Sequence, residues 1–147
     1  MSAVRPFGHL PEGRAVFEHT LDNGRGLSLR AINLGGIVTA LHCPDCDGHS
    51  ANIVLGFDKL TDYVERNPNF GTLVGRFGNR IADGRFVLDG EPHQLAQNDG
   101  PGDGATALHG GPTGFGKRWW AITPLPAQDD GSVALELSLS SDDGDEH

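Results

Sequence analysis

Two short stretches of the sequence carry side chains of the kind that bind and react with a polar ligand. In the first, Asn79 and Arg80 stand side by side in an apolar, strand-like segment just before an Asp-Gly turn. A buried arginine is unfavourable unless it is paired or bound, and its planar fork of N–H donors suits hydroxyl groups or a carboxylate. The pair therefore marks either a solvated strand end or a surface that faces a polar ligand.

The second stretch is LHGG at 108–111, where two glycines follow His109. Glycines let the backbone turn sharply and approach a ligand closely. A histidine titrates near neutral pH, so it can donate a proton to a reacting oxygen or accept one from it. The alternative is an ordinary loop histidine with glycine hinges. The presence of both stretches in one chain favours a site.

A third group contains four possible metal ligands within eight residues: His42, Cys43, Cys46 and His49. The spacing permits a zinc site or a redox pair. The Pro-Asp and Asp-Gly steps between the cysteines and after them are instead typical of a plain hairpin turn. We expect Cys43 and Cys46 to lie in an exposed turn and to bind no structural metal.

The composition bounds the class of protein. The 147 residues suffice for one domain, and the 11 basic against 20 acidic residues give a net charge of −9. This balance argues against nucleic acid and anionic membranes as partners, since both reward clustered lysine and arginine. No apolar run approaches the roughly 20 residues of a membrane helix, and no apolar signal core follows the N-terminus. We therefore expect a cytoplasmic protein.

Apolar alternation and turn signals predict a β fold. Strands are predicted over 16–21, 27–31, 37–41 and 52–56, and a short helical turn capped by Asp58 over 59–64. Asp83-Gly84 and Asp89-Gly90 predict a ladder of hairpins through 80–95, and 98–116 is predicted to be a long loop. A strand restarts at 119–123. The 22 glycines and nine prolines fit such a turn-rich protein.

The last predicted strand places four apolar side chains on one face: Val133, Leu135, Leu137 and Leu139. Asp143-Gly144 then predicts a hairpin turn, but the sequence contains no return strand. A hairpin without its second arm leaves an unpaired edge, so we expect the domain to be truncated here. The acidic residues 142–146 are expected to be solvated.

Taken together, three stretches resemble the aldose 1-epimerase (galactose mutarotase) family: NIVLGFDKLTDY at 52–63, GRFGNRI at 75–81, and ALHGG at 107–111 followed by GFGKRWW at 114–120. Their order and spacing match from near residue 10 to the end of the chain. The resemblance implies an all-β fold, an antiparallel β-sandwich of the galactose mutarotase-like supersandwich type. It also implies that residues 1–147 are the N-terminal half of one such domain.

The family's chemistry interconverts the α and β anomers of hexoses such as glucose and galactose by acid–base ring opening, with no metal or organic cofactor. By resemblance, Arg80 binds a sugar hydroxyl with Asn79 beside it, and His109 lies near the ring oxygen. His109 and Arg80 are thus the candidate catalytic residues, and Asn79, Arg80 and His109 the candidate substrate-binding residues, on one concave face. The family's second histidine, a sugar-binding aspartate and the glutamate base belong to the second half.

Departures from the family pattern leave alternatives. None of the carboxylates Glu136, Asp142 and Glu146 matches the family's base motif, and Ala107 stands where a polar residue is expected. The fragment alone is therefore expected to be inactive, with an aldose as its small-molecule partner and a missing C-terminal half as a further one. The alternatives are a non-catalytic carbohydrate-binding β-module and a small zinc-binding β-domain built on the Cys43 cluster.

Overall fold

A computed structural model describes residues 2–101 and 105–145. These residues form eleven strands, one α-helix and one 3-10 helix, with the following bounds: β1 (Ser2–His9), β2 (Ala15–Asp22), β3 (Ser28–Ile32), β4 (Val38–Pro44), β5 (Ser50–Asn52), α1 (Leu60–Arg66), β6 (Arg80–Ala82), β7 (Arg85–Leu88), β8 (Glu91–Gln94), β9 (Thr106–Leu108), the 3-10 helix Phe115–Lys117, β10 (Ala121–Pro124) and β11 (Leu135–Ser138). All strand pairs are antiparallel, which confirms the predicted class. Among the described residues, no helix is long and apolar enough to cross a membrane.

The chain divides into two compact units, the first within residues 1–72 and 119–139. Its main element is a five-stranded sheet in the order β1-β2-β3-β4-β5, so each strand pairs with its neighbour in sequence. Side chains that alternate along these strands pack with α1 to form the core, whose buried members are Val16, Ile32, Ile37, Leu60 and Tyr63. The sequence pattern did not predict β1, because Pro6 and a register shift next to Gly8 interrupt its alternation.

Two local predictions for this unit are wrong at their ends. The helix begins at Leu60 after Lys59, and no side chain caps it, so Asp58 is not its cap. The strand predicted over 52–56 ends at Asn52, whose Oδ1 accepts from the backbone N–H groups of Leu41 at 3.0 Å and Val54 at 3.3 Å. This side chain takes the place of the next ladder bond, and Leu55 beyond it is 70% exposed.

Glu18 on β2 is buried on the sheet face that carries the core. Its Oε2 accepts from Nε of Arg5 at 2.6 Å, and its Oε1 accepts from the Thr39 hydroxyl at 2.9 Å. A buried carboxylate is tolerated when it is paired and hydrogen-bonded in this way. The alternating pattern of β2 did not distinguish this position from a solvated one.

The strand pair β10–β11 completes the first unit. The strand predicted over 133–139 is shorter in the structure, because β11 spans only Leu135–Ser138. Val133, Leu135, Leu137 and Leu139 are nevertheless all half-buried while their neighbours are exposed, which confirms the predicted face. The preceding strand begins at Ala121 rather than at Trp119, which makes an isolated bridge to Leu34.

The second unit comprises residues 73–118 and the described part of 140–147. Its strands form two separate pairs, β7–β8 and β6–β9. The predicted hairpin at Asp89-Gly90 is confirmed, with φ of 52° and 88° as a type I′ turn requires. The predicted hairpin between β6 and β7 is wrong: Arg80 lies opposite Leu108, because the short strand β6 pairs with β9 from the stretch predicted to be a loop.

Candidate functional site

The pairing of β6 with β9 brings Asn79 and Arg80 next to His109. The backbone N–H of His109 donates to the Asn79 carbonyl over 3.0 Å. In return, the backbone N–H of Asn79 donates to Nδ1 of the His109 ring over 3.0 Å. Nη1 of Arg80 donates to Oδ1 of Asn79 over 3.4 Å. The three predicted site residues are therefore neighbours in one unit, and their role in sugar binding stays a prediction.

The bond from Asn79 fixes the chemistry of the His109 ring. Because Nδ1 accepts a hydrogen bond, a neutral ring carries its proton on Nε2. Asn79 and His109 both have positive φ, at 71° and 53°. Non-glycine residues adopt this conformation rarely, and it occurs often at functional sites. The arrangement leaves an imidazole whose N–H can be offered to a ligand oxygen.

Glycines allow the two motifs to approach each other. Gly110, at a φ of 82°, lies so close to Gly75 that a Cβ would overlap the Gly75 carbonyl oxygen. That carbonyl also accepts from the backbone N–H of Phe115 at 3.1 Å. The close approach expected of the glycines after His109 is thus made to the chain's own backbone, and it fixes the loop that carries the histidine.

Asp99 is a member of this group that the sequence did not reveal. Its Oδ2 accepts from Nε of Arg80 at 2.7 Å and from the Thr106 hydroxyl at 3.3 Å. The pKa of the Asp99 carboxyl is lowered, mainly by the hydrogen bond from the Arg80 guanidinium. The carboxyl therefore stays ionised at neutral pH. Only the pairing of Asp99 with Thr106 at the edge of β9 places this carboxylate near Arg80, and no spacing rule predicts that pairing.

A cavity of about 510 Å³ lies in the second unit beside Arg80. Its wall is mostly apolar and includes Phe77, Ile81, Phe86 and Leu95, with Gly110 and Gly111 of the histidine loop at its edge. Pockets for small molecules are typically several hundred Å³ in volume, apolar over most of their wall, and equipped with a few polar groups that fix orientation. Arg80 is a polar group of that kind.

The acidic segment after β11 is not simply solvated, which corrects the sequence-based expectation. Asp145 forms a two-pronged ion pair with Arg118, with 2.7 Å between Nη2 and Oδ1, and it also accepts from the Ser141 hydroxyl. Arg76 donates to Ser141 at 2.9 Å and to the carbonyl of Asp142. The Arg118 pair and the Ser141 bond lower the pKa of Asp145. Glu146 lies outside the described residues.

The sequence model of the family described as aldose 1-epimerase matches residues 18–147. This chain belongs to the aldose 1-epimerase family. Galactose mutarotase from Bos taurus is 41% identical over 140 residues, which cover 95% of this chain and 38% of the relative. Aldose 1-epimerase from Escherichia coli is 35% identical over 136 residues, covering 92% of this chain and 37% of the relative.

Solved structures give the same result for the fold. A galactose 1-epimerase from Lactobacillus acidophilus superposes with a TM-score of 0.78 at 25% identity, covering 99% of this chain and 40% of that one. An aldose epimerase homologue from C. elegans superposes with a TM-score of 0.72 at 28% identity, covering 86% and 36% of the two chains. The galactose mutarotase-like β fold is therefore confirmed. The chain spans about 38% of the length of the first mutarotase above.

The cysteine group of this chain, residues 42–49, lies in the first unit. As predicted, it forms a hairpin, with Cys43 opposite Ala51 between β4 and β5. Cys46 is exposed in the turn, whereas Cys43 is half-buried on the strand, so only one thiol fits the expected exposed turn. In the described part of the chain, the carboxylates and imidazole that come within 4.8 Å of one another are those of Asp45, Asp47 and His49, without either thiol. This grouping does not favour the cysteine zinc site.

Proposed function

We propose that the chain supplies part of the sugar site of an aldose 1-epimerase that interconverts the α and β anomers of hexoses such as glucose and galactose. The observation that carries the proposal is the reciprocal bonding of Asn79 and His109 beside Arg80. It combines a fixed imidazole donor with a guanidinium whose Nη2 has no partner among the described residues. Family membership adds support, since this chain is 41% identical to the galactose mutarotase from Bos taurus and 35% identical to the aldose 1-epimerase from Escherichia coli.

In this proposal the neutral His109 ring donates a hydrogen bond from Nε2–H to the ring oxygen of the sugar. A base removes the proton of the C1 hydroxyl, the bond from C1 to the ring oxygen breaks, and an acid from the missing C-terminal half protonates the ring oxygen. The open-chain aldehyde rotates about the C1–C2 bond, and the reverse proton transfers close the ring on the other face. Arg80 and Asn79 hold sugar hydroxyls through these steps, which fixes the ring oxygen near the imidazole.

The base is proposed to come from outside the 147 residues. Asp99 is hydrogen-bonded to Arg80, and its lowered pKa makes it a weak proton acceptor. Glu136 on β11 belongs to the other unit. A C-terminal part of the kind that the longer relatives have would be the partner that supplies the base. A cytosolic location accompanies this proposal, since both cysteines are free thiols.

A second candidate is a carbohydrate-binding β-module without catalysis. For the 147-residue chain taken alone, the ion pair between Arg80 and Asp99 favours this second candidate. The paired Asp99 is not a competent base, so the chain has sugar-binding groups without one. The two candidates share the sugar and differ in turnover.

Polarimetry of α-D-galactose separates them. A chimera in which this chain replaces the matching segment of the Bos taurus mutarotase is expected to accelerate mutarotation above the buffer rate. His109→Ala removes the hydrogen bond to the ring oxygen and should slow mutarotation by about 10²–10³-fold. His49→Ala, in an exposed turn of the first unit, is the matched control and should change nothing.

The 147-residue chain by itself is expected to leave the rate at that of buffer. A chain that accelerates mutarotation alone, and loses this with His109→Ala, would show that it carries its own base. A folded chimera that keeps full activity after His109→Ala would overturn the proposed role of the histidine.

A further inference from the structure

We infer that Asp99 is a substrate-binding residue, which accepts a hydrogen bond from a sugar hydroxyl while the adjacent Arg80 guanidinium donates to another oxygen of the same sugar. The inference rests on the proposed function and deepens it. It adds an acceptor to a site in which Asn79, Arg80 and His109 otherwise supply mainly donors. It also assigns a role to a carboxylate that the proposed reaction does not use.

The hydrogen bonds leave half of each group available. Among the described residues, Arg80 Nε and the Thr106 hydroxyl donate to the Asp99 carboxylate, and both bonds end on Oδ2. Oδ1 has no partner among the described residues. Arg80 uses Nε on Asp99 and Nη1 on Asn79, which leaves Nη2 as a donor without a partner in the described part of the chain. An ionised acceptor and a charged donor therefore lie side by side.

The backbone holds Asp99 in place. Its N–H donates to the Thr106 carbonyl at 3.2 Å, and the Thr106 N–H donates back at 2.7 Å. The preceding Asn98 bonds both backbone groups of Leu108, through Oδ1 at 2.7 Å and Nδ2 at 3.0 Å. Leu108 is the residue before His109, so Asp99 is fixed to the strand that leads into the histidine loop. A group held in this way loses little conformational freedom on binding.

Accessibility and charge suit a polyol. The side chains of Arg80 and Asp99 are 55% and 33% exposed, so a ligand can reach both. A carboxylate next to a guanidinium has no net charge to attract an ion, but it offers strong acceptor and donor positions to neutral hydroxyls. Neighbouring hydroxyls of a pyranose match such a pair, since one donates to the carboxylate while the other accepts from the guanidinium. The lowered pKa keeps the acceptor ionised throughout the neutral range.

The test is an NMR titration of the isotope-labelled 147-residue chain with D-galactose and with its monodeoxy analogues. The wild type is expected to show galactose-dependent shifts at Arg80 Nε and at His109, and to lose about 10–100-fold in affinity for one analogue. Asp99→Ala should lose a similar factor for galactose and should no longer distinguish that analogue. Asp99→Asn keeps the shape of the side chain, so its affinity for galactose should lie between those of the wild type and Asp99→Ala. Asp62→Asn removes an exposed ion pair with Arg66 on α1 and is the matched control.

The outcomes are distinct. Galactose affinity and deoxy-sugar preference that are unchanged in a folded Asp99→Ala or Asp99→Asn variant would overturn the inference and leave the proposed function standing. If the Asp99–Arg80 ion pair were merely structural, Asp99→Ala would lower the affinity for all the sugars by the same factor. That result would also overturn the inference. Absence of any galactose-dependent shift in the folded wild type would overturn this inference, whereas the proposed function is tested separately by polarimetry of the chimera.

Discussion

The backbone N–H of Asn79 lies 3.0 Å from Nδ1 of His109, and the N–H of His109 lies 3.0 Å from the carbonyl oxygen of Asn79. This reciprocal pair joins two motifs that are far apart in the sequence. It continues the pairing of β6 with β9 by one position, where both residues leave the extended conformation. The imidazole is therefore part of the backbone framework rather than a free loop side chain.

The first prediction concerns the tautomer of His109. Because Nδ1 accepts from Asn79, the neutral ring should carry its proton on Nε2. Long-range proton–nitrogen NMR correlation at pH 8 should show the pattern of the Nε2–H form for this residue. A neutral ring protonated on Nδ1 would contradict the observed bond and would remove the donor that the proposed mechanism uses.

The second prediction separates backbone strain from steric overlap at two glycines. Gly90→Ala places a side chain at a φ of 88° with nothing within 4 Å, so it should cost about 1–2 kcal/mol of folding free energy. Gly110→Ala adds overlap with the Gly75 carbonyl to a similar φ of 82°, and should cost more than about 3 kcal/mol.

Urea unfolding of both variants, followed by a probe in the second unit, measures this difference. The Gly110→Ala variant should also shift the NMR signals of His109 and Phe115, whereas the Gly90→Ala variant should leave them in place. Equal losses of stability in the two variants would show that the loop gives way, and that its contact with Gly75 is not what positions the histidine.

Local patterns predicted much of the fold because burial on one side of a strand imposes a period of two. The alternation at Val133, Leu135 and Leu137 gave the correct face of β11. Asp89-Gly90 gave the correct hairpin because its two residues must take positive φ. Arg80 and His109 were recognisable as candidates from their chemistry and from the family motif around each.

Long-range pairing was beyond those patterns. Asp83-Gly84 also has positive φ at both residues, but a turn specifies only local geometry and does not decide which strand pairs with β6. The pairing with β9 is what brings Asp99 to Arg80, so this carboxylate could not be assigned from spacing. Glu18 was missed for a similar reason, since its partners Arg5 and Thr39 come from two different strands.

The third prediction tests the buried Glu18. Arg5→Ala removes the cation that pairs with a carboxylate whose side chain is only 2% exposed, and should destabilise the first unit by about 1–3 kcal/mol. The 60% exposure of Arg5 places the effect below that of a fully buried pair. Arg66→Ala, which breaks an exposed pair with Asp62 on α1, is the control and should cost about 0.3–0.5 kcal/mol.

Denaturant midpoints of these two variants decide the matter. An Arg5→Ala variant as stable as Arg66→Ala would mean that Thr39 and solvent satisfy Glu18 without the arginine. In that case the ion pair would be a consequence of the position of β1 and would contribute little to holding that strand on the sheet.

The last prediction is a pH dependence centred on Asp145. The Arg118 guanidinium and the Ser141 hydroxyl, with a smaller effect of Arg76, lower the pKa of this carboxyl in the folded chain. The unfolded chain has the ordinary aspartate value of about 3.9, so in acid it binds a proton that the folded state does not bind. The stabilising contribution is therefore complete above the unfolded pKa and is lost progressively as the pH falls through the folded pKa.

Asp145→Asn should therefore be less stable than the wild type at pH 7, and the difference should shrink as the pH falls from about 5 to 3. Asp143→Asn changes an exposed carboxylate in the same turn and should follow the wild type at every pH. Urea midpoints at pH 7, 5, 4 and 3 give the comparison. A wild-type advantage over Asp145→Asn that stays constant down to pH 3 would show that Arg118 and Ser141 recognise the shape of the side chain rather than its charge, and that the tail after β11 is not held by this ion pair.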